Sequence, residues 1–75
     1  MTVIYKVTEE KVPTETAERI TYGITGYADG DRPIVSVRDV TTDKTGLLAL
    51  AETCNRLSLS PIHLYDVILD YLVQQ

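Results

Sequence analysis

"TTDKTGLLALAETCNRL", residues 41–57, is where the chain changes its hydrophobic period. Before it, apolar and polar residues alternate. From Leu47 onward the apolar residues recur near every 3.6 positions. Leu47, Leu50, Ala51, Cys54 and Leu57 fall along one side of a helix. Thr42 is a good N-cap, and Asp43 sits favourably against the helix dipole. Thr45 offers an alternative cap, and Gly46 weakens the first turn. A sheet therefore hands over to helices here, and the fold class is α+β.

Upstream, "TVIYKVT" (2–8) alternates, with Val3, Tyr5 and Val7 on one face and Thr2, Ile4, Lys6 and Thr8 on the other. "EEKVPTETAE" (9–18) is acidic, broken by Pro13, and reads as a connection. "RITYGITGY" (19–27) predicts a second strand with Ile20, Tyr22 and Ile24 on its apolar face. Gly23 and Gly26 mark a bulge or a close approach. "ADGDRP" (28–33) is a hairpin signal, because Asp-Gly suits turns that need positive φ. "IVSVRDV" (34–40) is the third strand, with Val35 and Val37 on one face. Strands two and three are expected to pair antiparallel, and the first to pair with the second.

Downstream of the first helix, "SLS" is a short connector. Ser60 then precedes Pro61, an N-cap followed by a proline where a missing N–H costs nothing. Leu64, Val67, Ile68, Tyr71 and Leu72 form a core stripe. Ile62, Tyr65, Leu69 and Val73 form a second stripe beside it. A three-stranded sheet covered by two helices consumes one stripe. The other needs a further cover, shared between the first helix and a protein interface.

The 75 residues make one domain, 1–75, in β-β-β-α-α order with both helices on one face of an antiparallel sheet. Composition agrees: 44% apolar and 24% charged is globular. A domain this small has a thin stability margin and commonly adds a disulfide, a metal or a partner. Cys54 is the single cysteine, so no intramolecular disulfide forms, and no Cys/His cluster offers a structural zinc site. Phe and Trp are absent, which leaves five tyrosines as the large aromatic anchors.

Function classes narrow by charge and pattern. A net charge of −4, with scattered basic residues and none beyond Arg56, opposes nucleic-acid binding. No apolar run approaches the ~20 residues of a membrane span, and the acidic polar face of the last helix disfavours a lipid surface. A lone cysteine and no export signal fit the cytoplasm.

His63, Asp66 and Asp70 share a helical face, and a histidine with two carboxylates is chemistry for a divalent metal or for acid–base work. The same spacing arises on the polar side of any amphipathic helix, where solvation is the expected role. Cys54 lies on the apolar stripe and reads as a buried structural thiol. "GITGYADG" (23–30) lacks the Lys-Ser/Thr of a phosphate loop, and "DGD" (29–31) lacks the remaining ligands of a calcium loop. "RDVTTDK" (38–44) reads as a capped junction with solvated charges.

Three pieces carry a resemblance: "TYGI" (21–24), "VRDVTTDK" (37–44) and "NRLSLSPIHLYDVILDYL" (55–72). Together they resemble a family of short bacterial proteins of unknown function. The last motif of that family has a Ser/Thr-Pro-x-His-Leu-x-Asp-Val-Ile core, then an acidic residue, Asp and an aromatic. Ser60, Pro61, His63, Leu64, Asp66, Val67, Ile68, Asp70 and Tyr71 match it. Leu69 departs from it, replacing the acidic residue and strengthening the second stripe. The resemblance covers about Thr21 to Leu72 and implies strand, strand, helix, helix order, with no activity attached.

The expectation is a non-enzymatic interaction or regulatory module without a cofactor. Its partner is a second copy or another protein, met through Tyr65, Leu69 and Val73. The competing expectation is a metal-dependent or acid–base site at His63, Asp66 and Asp70.

Overall fold

The alternating N-terminal half forms a three-stranded antiparallel sheet in the order β1-β2-β3, with β1 Val3–Pro13, β2 Glu18–Ala28 and β3 Arg32–Thr41. Two helices follow: α1 Lys44–Arg56, then a 3₁₀ turn Pro61–His63 leading into α2 Leu64–Val73. The β-β-β-α-α order expected from the sequence is the order found. The structure, a computed structural model, describes residues 2–74.

β1 is longer than its apolar alternation. Residues 9–13, read as a connection, continue the strand and pair with β2 as far as Pro13 opposite Glu18. A tight turn closes this hairpin: the Thr14 N–H donates to the Ala17 carbonyl at 2.7 Å, and the Ala17 N–H donates to Thr14 Oγ1 at 3.0 Å. Pro13 is tolerated because it ends an edge strand. The distal part of this hairpin lacks the alternation because it has no core to face. Ile20, expected on the apolar face, is accordingly 42% exposed.

The second hairpin turns at Asp29 and Gly30, with φ of 55° and 92°. This is the pair of positive φ values that a primed turn requires. The β2–β3 register then shifts twice, once between Gly26 and Tyr27 and once between Tyr22 and Ile24. The second shift puts Val37 opposite Ile24 but Thr41 opposite Tyr22, with Asp39 in the left-handed region at φ 52°. Thr21 Oγ1 donates to Asp39 Oδ1 at 2.7 Å and holds this bulge. Gly23 makes room for it: a Cβ there would lie 2.2 Å from the Val37 carbonyl oxygen.

Asp43 caps α1, accepting from the Gly46 N–H at 3.2 Å, so neither Thr42 nor Thr45 is the cap. Thr41 assists by accepting the Asp43 N–H at 3.1 Å. A carboxylate one residue later than Thr42 meets the orphan N–H groups with charge as well as geometry. Gly46 sits close to two side-chain ends: a Cβ there would fall 2.6 Å from both an Asp43 carboxylate oxygen and the Tyr71 hydroxyl, which would have to move aside.

Leu47, Ala51 and Cys54 of α1 are buried, as its spacing demands. Leu57 is not; it is 67% exposed. The helix ends at Arg56, and Ser58 takes a positive φ of 51°, so the 3.6-residue spacing no longer places Leu57. Leu59 returns to the core instead. Ser60 makes no side-chain cap; its carbonyl accepts the His63 N–H at 2.9 Å, which tightens the entry to α2 into a 3₁₀ turn.

The core joins both layers: Tyr5 and Ile24 from the sheet, Leu47, Ala51 and Cys54 from α1, and Leu64 and Ile68 from α2. Val35, Val37 and Val40 of β3 pack against this cluster, as do Val67 and Tyr71. Leu72, expected in the core stripe, is 39% exposed. It lies about 100° round the helix from Tyr71, which turns inward against Gly46. The short axis of 18 Å is that of one sheet and one helix layer, leaving the second sheet face uncovered.

Candidate functional site

α2 enters the core through Leu64 and Ile68 and presents its opposite side to solvent. Tyr65, Leu69 and Val73 are 59%, 43% and 83% exposed. They follow one another at four-residue spacing and share a face. Ile62, in the preceding 3₁₀ turn, extends the stripe, and Leu72 broadens it. The first helix does not cover this stripe, contrary to the expected sharing. α1 packs on β1 and, less extensively, on β2.

Asp66 and Asp70 flank the stripe, and both are exposed. Asp70 Oδ2 accepts from Gln74 Nε2 at 3.1 Å. His63 is also exposed, at the end of the 3₁₀ turn. Among the described residues, no group of three or more His, Cys, Asp or Glu side chains is arranged to hold a metal ion. His63, Asp66 and Asp70 are spread along a solvated face.

Cys54 is buried on the core side of α1, and burial pushes its thiol above the ordinary pKa, although a backbone hydrogen bond partly opposes this. A nucleophilic cysteine needs the reverse shift. Burial likewise raises the Tyr5 phenol, with Cys54 adding to the shift.

The two free edges of the sheet are treated differently. On β1, Asn55 of α1 occupies the edge: its Oδ1 accepts the Tyr5 N–H at 2.7 Å, and its Nδ2 donates to the Tyr5 carbonyl at 2.9 Å. The carboxamide thus takes the place of a peptide group on a neighbouring strand. The Tyr5 hydroxyl donates to the Leu59 carbonyl at 2.6 Å, so one residue fixes the end of α1 and the start of the next connection. On β3, no side-chain hydrogen bond reaches the backbone of residues 34–38 among the described residues.

The uncovered sheet face is polar around Gly23. Arg38 makes a two-point ion pair with Glu10, and Thr25 Oγ1 lies 3.0 Å from Ser36 Oγ. The paired carboxylate raises the Arg38 pKa further. These groups and Thr8 line a shallow cleft over Gly23. The Tyr71 hydroxyl is buried without a hydrogen-bond partner among the described residues.

Residues 1–74 match a family of unknown function, DUF6514. The chain belongs to that family. The match reaches further than the resemblance over residues 21–72, taking in β1 and the first hairpin. No curated protein and no solved structure matches the chain. No helix among the described residues is long and apolar enough to cross a membrane.

Sequence reasoning brought out the stripe on α2 but missed Asn55 and the bulge at Asp39. Asn55 carries no signal, since an amide at the polar boundary of a helix is ordinary. The bulge had a partial one in Gly23.

Proposed function

We propose that the chain is a small, non-enzymatic interaction or regulatory module that self-associates through its C-terminal helix. The observation that carries this reading is the run of exposed apolar side chains on α2, from Ile62 through Tyr65 and Leu69 to Val73. Apolar surface of this extent costs free energy in water, and small monomers seldom keep it without a use. A two-fold axis lets one such surface cover its own copy and supplements a core of few buried side chains. Leu69 departs from the acidic residue of the motif that the chain resembles, and an apolar side chain there favours an apolar contact. We take the chain as bacterial, from the motif it resembles, and place it in the cytoplasm on its single buried thiol.

Sedimentation equilibrium of the wild type and of Leu69→Glu tests this, with circular dichroism as a check on folding. The wild type is expected to dimerise at micromolar concentration and Leu69→Glu to sediment as a monomer of unchanged fold, because two carboxylates would be forced together at the axis. A wild type that stays monomeric at high micromolar concentration would remove the self-association.

A further inference from the structure

We infer that the second copy is also joined edge to edge through β3, so that two three-stranded sheets become one of six strands. This deepens the self-association reading and rests on it.

The direction of the backbone groups decides which residue would pair. Tyr5 turns its N–H and carbonyl outward to Asn55, so its partner Gly26 turns its own groups toward β3. Gly26 and Val35 therefore form a hydrogen-bonded pair, and so do Ile24 and Val37. Between them, Thr25 and Ser36 form the non-hydrogen-bonded pair, where side chains approach most closely. The 3.0 Å separation of their hydroxyl oxygens agrees. Ser36 thus points its N–H and carbonyl out of the sheet, at an edge with no further strand among the described residues.

Natural sheets blunt their edges. β1 is blunted by Asn55 and ends at Pro13. β3 carries such devices at its ends, in Pro33 with the register shift at Ile34 and in the bulge over residues 38–40 around Asp39. Between them, "VSV" (35–37) is three residues of regular open edge.

That segment is self-complementary. An antiparallel copy centred on Ser36 sets Ser36 against Ser36, where each outward N–H meets the other's outward carbonyl. It sets Val35 against Val37, a β-branched pair, on the helix-bearing face. No charged residue lies within 35–37, so no like charges are opposed there, and Arg38 beyond it stays neutralised by its own Glu10. α1 packs on β1 and β2, while the β3 valines join the cluster that α2 enters through Leu64 and Ile68. A stable interface removes about 800 Å² from each partner, more than so short an edge supplies, and the exposed stripe on α2 is the apolar surface available to make up the rest.

The test is sedimentation equilibrium of Ser36→Pro against Ser36→Ala. Proline removes the outward N–H, which no strand of its own sheet uses; alanine removes only the hydroxyl. Ser36→Pro is expected to weaken the dimer by about tenfold or more, since two symmetric backbone bonds are lost. Ser36→Ala should stay within about threefold of wild type. Hydrogen exchange at the Ser36 amide is the second readout and needs no variant: it should be fast at low concentration and protected as the dimer fills. A dimer insensitive to Ser36→Pro, or a Ser36 amide that exchanges equally fast at every concentration, overturns the edge pairing. If Leu69→Glu still dissociates that dimer, the helix-mediated association survives alone; if the wild type is monomeric, both fall.

Discussion

Gly23 and Asp39 together set the path of β3. The backbone of β3 crosses so near Gly23 that a Cβ would meet the Val37 carbonyl oxygen at 2.2 Å and the Arg38 Cα at 3.0 Å. Both are main-chain atoms and cannot swing aside as a flexible side chain can. Gly23→Ala is therefore expected to destabilise the fold by about 1–3 kcal/mol through overpacking at the bulge. Urea unfolding of the variant beside wild type checks this, and an unmoved midpoint would mean that β3 relaxes freely. The sequence showed a glycine in a strand and so a bulge or close approach at that point. It did not show the two extra residues on the opposite strand, because register depends on the partner.

Between elements, Asn55 is the link that joins α1 to the sheet through hydrogen bonds. Its carboxamide satisfies both outward groups of Tyr5, which would otherwise sit half-buried at an edge. Asn55→Ala is expected to cost about 1–3 kcal/mol, two hydrogen bonds at roughly 1 kcal/mol each. Amide exchange separates this from a general loss of stability: the Tyr5 amide should lose protection more than the Ile24 amide. Equal changes at the two amides would argue against a specific edge contact. The helix ends illustrate the same point. Capping chemistry around residues 42–45 was legible, but the choice of Asp43 was made where the strand releases the chain. Ser60 stands at the N-cap position with Pro61 after it, but without a side-chain cap, and the turn it opens is 3₁₀ before α2 begins.

For the whole molecule, the Tyr5 phenol and the Cys54 thiol are titratable groups in the core. Burial raises the pKa of both, so the folded state holds these protons more tightly than the unfolded chain does. The stability they contribute is present below the unfolded thiol and phenol values, about 8.5 and 10. It is lost as pH rises through those values toward the higher folded ones. The urea midpoint is thus expected to hold near pH 7 and fall by pH 10. Cys54→Ala, although less stable throughout, should fall less steeply. A midpoint unchanged to pH 10 in the wild type would contradict the burial of both groups.

The sequence by itself determined what depends on local period and local backbone chemistry. Alternation over Val3, Tyr5 and Val7, the Asp29-Gly30 turn, and the switch at residues 41–57 specified three strands and then helices. The stripe of Tyr65, Leu69 and Val73 was separable from the core stripe by spacing alone. Tertiary structure decided everything that requires knowing what lies opposite. It made a strand of the acidic segment 9–13, which has no apolar face and is held by its pairing with β2. It left Ile20, Leu57 and Leu72 in water: Ile20 lies where the first hairpin runs past the core, Leu57 follows the end of α1, and Leu72 lies about 100° round α2 from the inward Tyr71. It closed the β1 edge with a side chain 50 residues away and left the middle of the β3 edge open. Periodicity tells a residue which side of its own element it occupies; only packing tells that side whether it has a neighbour.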